Sequence, residues 1–464
     1  MRFVSPRPFR PWTPDQGQLL PQYVRELLGP DHLACFFVDL AGVLDFSAVL
    51  ESYTSDRGYP AYHPVMMTLL LMYAYAEGVT SSRKLARRCR TDLGFRFVSG
   101  GAEPDHDTIC AFRVRHLAAF GHLFAETLRV ASEMKLKKLG HISVDGSKFR
   151  ANASKHKAMS YGRMDETMRK LDEQVRRLLE EAARIDEEED RLYGKGKTGD
   201  EMPEELTDPA TRMQRMREAR QRVEAERKRA LAAEKEKRRE KIGEAKAALE
   251  EEARAKAAEK GKPVEEAKPD PKAQRNFTDP ESRIMPKSGS FEQAYNAQVA
   301  ADAETQLIVA QDVTQSTNDV GRLDEMVGQT IGNTGLVPSQ VSADAGYLDE
   351  ADVKAAEAHG TECFVAAKRT KHGEEEPAAP RGRPPGNLTW RQRMARKLKT
   401  KRGREAYARR KVTVEPVFGQ IKNRGFRRFS LRGLFKARGE FSLVCAVHNL
   451  VKLFRMGALA PATG

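Results

Sequence analysis

The sequence predicts an α/β catalytic core with an all-α N-terminal domain ahead of it and a coiled-coil-like helical insertion inside it. Three observations carry that prediction. Strand-like and helix-like segments alternate from about residue 274 to residue 455, the pattern of a sheet layered with helices. Residues 1–137 show helical periodicity without strand alternation. Residues 164–273 shift to Glu, Lys, Arg and Ala, a composition that supports solvated helices better than a packed core. With 464 residues, 40% of them hydrophobic, the chain has enough apolar surface for two or three cores rather than one.

In the N-terminal domain, YHPVMMTLLLMYAYAEG (residues 62–78) reads as an apolar helix opened by Pro64 and closed at Gly78, too short to span a bilayer. TSSRKLARRCRTD follows, a Ser-capped helix whose basic face carries Arg83, Lys84, Arg87, Arg88 and Arg90. Helix, short turn and basic helix outline a helix-turn-helix DNA reader, which assigns Arg83 and Arg87 to DNA; an ordinary bundle has the same outline. PDHDTICAFRVRHLAAFGHLF starts from Asp105 or Asp107 and repeats Ile109, Phe112, Leu117 and Phe120 at helical spacing.

The catalytic domain takes residues 138–163 and 274–455. KKLGHISVDGSKFRAN supplies its first strand, ending at Asp145. Inside the insertion two helical blocks flank the breaker GKGKTGDEMPEELTDP and read as an antiparallel hairpin. QAYNAQVAADAETQLIVAQDVT then gives two strands around a turn at residues 302–305, DVGRLDEMVGQTIG a helix, SQVSADAGY a strand ending at Asp344, DEADVKAAEAHG a helix, and TECFVAAK a strand. A proline- and charge-rich loop (373–387), a basic helical region around Glu415 and an amphipathic helix, EFSLVCAVHNLVKLF, complete it; Cys445 and His448 are read as core. Residues 456–464 are expected to be a disordered tail.

Charge and cysteine usage bound the partners. The chain carries a formal +14, and residues 368–438 hold 23 lysines and arginines against five acids, a concentration that implies a polyanion, most simply nucleic acid. Five cysteines, odd in number and without CxxC or finger spacing, argue against a disulfide framework or a zinc site. The opening MRFVSPRPFRPW lacks an apolar signal core, so the expected compartment is reducing and cytoplasmic.

Three carboxylates stand out. Asp145 and Asp344 end strands, and Glu415 is the single acid of the arginine- and lysine-rich stretch 409–433, near the expected start of a helix. Carboxyl ends of neighbouring strands converge on one edge of a sheet, and three acids meeting there repel one another unless a cation is present. All-oxygen ligands suit Mg²⁺ or Mn²⁺, and two such ions activate a nucleophile and stabilise the leaving oxygen of a phosphodiester. An acid inside a basic field is what such chemistry on a phosphate requires. Taken singly, Asp145 before Gly146 and Asp344 before Ala345 and Gly346 suit turns equally well, and Asp302, Asp312 and Asp319 are read as turn or cap residues.

VDGSKFRANAS, FTDPESRIMPKSGSFEQAYNAQVAADAETQLIVAQDVTQSTND, VSADAGY and VEPVFGQIKNRGFRRFSLRG, in this order, resemble the DDE transposases of bacterial insertion sequences. More narrowly they resemble the subgroup with a YHP, SSR and PDHDTI N-terminal domain and a helical insertion after the first aspartate, from about residue 62 to residue 454. The resemblance implies an RNase H-like core in which Asp145, Asp344 and Glu415 hold two Mg²⁺ or Mn²⁺ ions. It also implies cutting at element ends and joining of the freed 3′-hydroxyl to target DNA. Glu415 and Lys422 fit the family's Glu-to-Lys interval, about two helical turns, which assigns Lys422 to a phosphate near the scissile bond. Arg410 follows Tyr407 at the family's interval but stands five residues before Glu415, with Lys411 in the expected arginine place. Pro416 predicts Glu415 at a helix start or kink.

The expected DNA contacts are Lys422, Arg424, Arg427, Arg428, Arg432, Arg410, Lys411, Arg83 and Arg87. The expected partners are terminal inverted repeats, target DNA and a second copy of the chain, since two ends must be brought together; the expected place is the cytoplasmic nucleoid, with no membrane. Two other readings share these residues: an RNase H-like nuclease without strand transfer, and a catalytically silent DNA-binding protein derived from a transposase.

Overall fold

The computed structural model describes residues 23–53, 61–134, 139–193, 209–259, 267–287, 289–368 and 385–457, together with 261, 263, 264 and 382. The breaker between the insertion helices, most of the 373–387 loop and residues 458–464 lie outside the described residues.

Helices α1 (Val24–Leu28), α2 (Leu33–Asp39), α3 (Ser47–Leu50), α4 (Pro64–Ala76), α5 (Ser82–Thr91), α6 (Leu93–Val98), α7 (His106–Arg115) and α8 (Leu117–Glu133) come first. Every residue of α4 from Met67 to Tyr75 is buried, which makes it the centre of the bundle rather than a surface element. α5 buries only Leu85 and Cys89 and leaves Arg83, Lys84, Arg87, Arg88 and Arg90 exposed. The Asp105 carboxylate caps α7, accepting from the backbone N–H of Asp107 and Thr108.

Then follow β1 (His141–Arg150), β2 (Ala158–Ser160), α9 (Tyr161–Tyr193), α10 (Pro209–Glu259), β3 (Gln274–Asn276), β4 (Arg283–Lys287), β5 (Ser290–Asp302), β6 (Ile308–Thr314), α11 (Leu323–Thr334), β7 (Gln340–Ala343), α12 (Glu350–Ala358), β8 (Glu362–Val365), α13 (Trp390–Lys399), α14 (Lys401–Asn423) and α15 (Leu434–Arg455). The main sheet runs β5-β1-β7-β8, with β4 and β6 sharing the outer edge of β5. β1 is antiparallel to β5 and parallel to β7, and β7 is parallel to β8. Asp145 does not end its strand: β1 continues to Arg150, because the long β5 offers partners along its whole length, down to Ala294 opposite Arg150. Ile142, Val144 and Phe149 are fully buried, so both faces of this central strand are covered.

One hydrophobic core joins the N-terminal helices to the sheet and to α15, with Leu70, Phe120 and Leu128 in the same cluster as Val144, Phe149 and Leu443. Across this junction the buried Tyr75 hydroxyl of α4 donates to Glu440 Oε1 of α15 at 2.7 Å. The insertion has a separate small core at its base, Met164, Leu171, Ile242, Ala245 and Leu249. β2 and β3 pair there and gather the two ends of the arm. Ion pairs between Lys246 and Asp165, Arg239 and Asp172, and Lys228 and Glu181 set α9 and α10 antiparallel; buried positions farther out are alanines, Ala182, Ala225 and Ala232.

Candidate active site

Val144 pairs with Ala343 across the parallel β1–β7 step, so the next residue of each segment, Asp145 and Asp344, arrives at the same place. Asp344 caps the turn Ala345–Tyr347, its Oδ1 accepting from Gly346 N–H at 2.8 Å. Asp145 Oδ1 accepts from Gly146 N–H at 2.9 Å. Gly146 is not a turn glycine: a Cβ there would stand 2.5 Å from Asp319 Oδ1 and 2.6 Å from Gln298 Nε2, so only glycine fits this mid-strand position.

α14 packs over β1 and β7 along the stripe Gly403, Ala406, Arg410, Thr413, Val414, Val417, Phe418 and Ile421, the spacing of one helix face. Glu415 sits beside the stripe with its side chain half exposed. It lies well inside the helix, and Pro416 is an interior residue, which corrects the expectation of a helix start. An interior proline leaves the carbonyl four residues back without its N–H. Here that carbonyl belongs to Val412, and Gln306 Nε2, from the β5–β6 turn, donates to it at 2.8 Å. Gln306 adopts φ 58°, and its Oε1 accepts from Lys452 Nζ at 2.6 Å and from Gln420 Nε2 at 3.3 Å. Tertiary repair of this kind explains how a helix carries proline next to a site residue. Gln306→Ala is expected to cost about 1 kcal/mol in urea unfolding, and less in a Pro416→Ala background, where an alanine N–H satisfies Val412. An equal cost in both backgrounds would show that the proline gap is irrelevant.

Arg410 falls on the buried stripe, so its guanidinium needs carboxylates. Nη1 pairs with Asp145 Oδ2 at 2.8 Å and Nη2 with Glu415 Oε1 at 3.2 Å, and the Tyr407 ring lies 5.6 Å from the guanidinium carbon. Expected at the DNA, Arg410 is instead 9% exposed between two acids, and Lys411 is the exposed neighbour. The oxygens of Asp145, Asp344 and Glu415 do not all come within 4.8 Å of one another. Like charges spread when their counter-ion is a bulky guanidinium. Burial pushes the Asp145 carboxyl up to about 7; Arg410 opposes the rise, and Asp344 and Asp319 add to it. An all-oxygen donor set, a desolvated carboxyl and a cation already standing between two of the acids fit a divalent metal site.

Sequence reasoning missed Asp319. It precedes α11 and reaches the same group of acids, with Oδ1 held by Asn296 Nδ2 at 2.7 Å and Gln298 Nε2 at 2.6 Å. The available signal was a pair of amides at alternate positions of the strand segment NAQ, followed by the apolar VAA, since buried amides demand a partner.

Lys422 Nζ donates to Ser147 Oγ at 2.6 Å, two residues along β1 from Asp145, and lies 5.3 Å from the centre of the Phe149 ring. Burial, with Lys287, lowers its pKa below the usual lysine range. Arg427, Arg428 and Arg432 are exposed; Arg428 Nη2 and Arg432 Nε donate to Asn152 Oδ1 and O at 2.5 and 3.1 Å. Arg424 departs from its expected place on this face: it is half-buried, and burial, with Arg455, pushes its pKa down to about 10. Its carbonyl packs on Gly78, where a Cβ would stand 2.4 Å away, and this fixes the turn leading into α5 against the end of α14. A more compact ligand-type cluster among the described residues, Asp105, His106 and Asp107, is the exposed cap of α7 and lies outside the sheet edge.

The strand order, two aspartates leaving adjacent parallel strands and a glutamate brought in by a helix define an RNase H-like α/β domain. A Transposase domain (DUF772) model matches residues 22–115, and a Transposase DDE domain model matches residues 263–450. The chain belongs to the DDE transposases of insertion sequences. Asp319, Asp344 and Glu415 fall inside the second match, whereas Asp145 and most of the insertion lie between the two. No curated protein and no solved structure matches the chain. No helix among the described residues is long and apolar enough to cross a membrane.

Proposed function

We propose that this transposase cuts at the ends of its element and joins the freed 3′-hydroxyls to target DNA, with Asp145, Asp344 and Glu415 holding two Mg²⁺ or Mn²⁺ ions. The observation that carries the reading is the arrival of three acids from β1, the end of β7 and α14 at one sheet edge, two of them paired with a buried arginine, beside an exposed arginine loop. When bound, the metal supplies Lewis-acid activation of water and of the 3′-hydroxyl. The chain's own residues do the rest. Arg410 releases Asp145 and Glu415, Lys422 holds a phosphate near the scissile bond from its seat on Ser147, and Arg427, Arg428 and Arg432 grip the flanking backbone. Arg83 and Arg87 extend that grip from α5. The partners are the terminal inverted repeats, target DNA and a second copy of the chain, in the cytoplasm at the nucleoid.

Incubation with its own element ends, Mg²⁺ and a plasmid target tests the reading, with joined product expected. Ends cut but never joined would reduce it to a nuclease, and binding without cutting to a silent DNA-binding protein. Neutralising Arg427, Arg428 and Arg432 is expected to flatten the plot of log affinity against log salt by roughly one unit per lost contact. An unchanged slope would mean that this loop does not touch the backbone.

A further inference from the structure

We propose that Asp319 is a fourth carboxylate of the metal centre, ligating through Oδ2 beside Asp344. The inference rests on the reading of this edge as a metal site and adds a residue to it. Both donors to Asp319, Asn296 Nδ2 and Gln298 Nε2, use the same oxygen, Oδ1. Oδ2 accepts no hydrogen bond from the described residues.

The polar scaffold behind Oδ1 is costly to build. Asn296, Gln298 and Tyr347 are 1%, 0% and 0% exposed, and the Tyr347 hydroxyl donates to Gln298 Oε1, so a buried Tyr347–Gln298 relay and a separate buried amide fix one carboxylate. If its purpose were only to satisfy two amides, an uncharged acceptor would serve. Instead the free oxygen borders the same backbone position as another acid: a Cβ on Gly346 would stand 3.0 Å from Asp319 Oδ2 and 2.9 Å from Asp344 Oδ1. A glycine stands one residue after Asp145 and another two residues after Asp344, at 146 and 346, and the Asp319 carboxylate fills the space that a side chain would need at each. A second observation points to a cation in the same group. Arg410, nine-tenths buried, is drawn onto Asp145 and Glu415 and leaves its own Nε without a partner among the described residues, an arrangement explained by the pull of clustered negative charge on a cation standing in for the metal.

Asp319→Asn tests this on the full chain, because asparagine keeps an acceptor oxygen for both amides and removes the charge. Calorimetric titration with Mn²⁺ is expected to show affinity at least roughly tenfold weaker, with the metal-free melting temperature little changed and cleavage reduced. Unchanged Mn²⁺ affinity in a folded variant would overturn the proposal. If the variant does not fold, wild-type crystals soaked in Mn²⁺ decide by anomalous scattering. Metal at about 2.1 Å from Asp319 Oδ2 upholds it; metal held by Asp145 and Asp344 with Asp319 still bonded only to its amides overturns it. No Mn²⁺ binding by the wild type would overturn the metal-centre reading itself, a different failure from normal binding that ignores Asp319.

Discussion

Asp145→Asn, Asp344→Asn and Glu415→Gln are each expected to lower end cleavage by roughly a thousandfold or more while leaving DNA binding and the fold in place. Each removes a ligand charge and almost no volume, and losing a catalytic ion forfeits several kcal/mol of transition-state stabilisation. The structure says why stability should survive. Glu415 is half exposed and, among the described residues, pairs only with Arg410, so the glutamine strands little. Burial already pushes the Asp145 carboxyl up to about 7, so an uncharged group suits its surroundings, and Arg410 keeps Glu415. Asparagine at 344 retains the acceptor that caps the Ala345–Tyr347 turn. Cleavage in Mg²⁺, a mobility-shift titration and a melting curve on the same preparations separate these effects. Wild-type cleavage by any one variant would remove that residue from the site.

What could be read from the sequence is what local signals encode. Pro64 and Gly78 bound α4, and short apolar-rich runs between turn and helix signals mark β5, β6 and β7, because propensity and period act within one element. Asp344, directly after β7, was visible as a strand-end aspartate for the same reason. Features set by distant partners were not. β1 runs five residues past Asp145 because β5, beyond the insertion, offers partners that far. Pro416 promised a helix boundary, and the boundary is absent because Gln306, 106 residues before Val412, satisfies the Val412 carbonyl that the proline cannot. Arg410 looked like a DNA contact in a basic run; its place on the Gly403–Ala406–Val414–Val417–Ile421 face was the clue that it turns inward. Asp319 was hidden by its plausibility as a cap, although the amides Asn296 and Gln298 announced a buried acceptor.

Glu440→Ala is expected to destabilise the protein by about 3–5 kcal/mol, the scale for stripping one member from a buried charged network, and to weaken DNA binding with it. Glu440 is 0% exposed in the second turn of the helix that packs on α4 and α8. Its Oε1 takes the Tyr75 hydroxyl at 2.7 Å, and its Oε2 takes the backbone N–H of Ser430 and Leu431 at 2.9 and 3.2 Å. Burial pushes the Tyr75 phenol well above its ordinary range, Arg113 opposing and Glu440 adding, so the hydroxyl remains a donor at any working pH. Arg113, 2% exposed, lies 5.6 Å from the Tyr75 ring and, among the described residues, donates only to Ser82 Oγ, at 3.3 Å. Alanine at 440 therefore strands a hydroxyl, two backbone donors and the field of a buried guanidinium together. Glu440→Gln keeps one acceptor and should fall between alanine and wild type, and Tyr75→Phe, which deletes one bond, should cost about 1 kcal/mol. Because Ser430 and Leu431 belong to the loop of Arg428 and Arg432, the alanine variant should also lose affinity at low salt, where those arginines contribute most. Urea unfolding of the three variants, with the double variant Tyr75→Phe/Glu440→Gln to measure coupling, is the test. An alanine variant as stable as wild type, or strictly additive single costs, would mean that the N-terminal helices are held to the catalytic sheet by apolar packing alone.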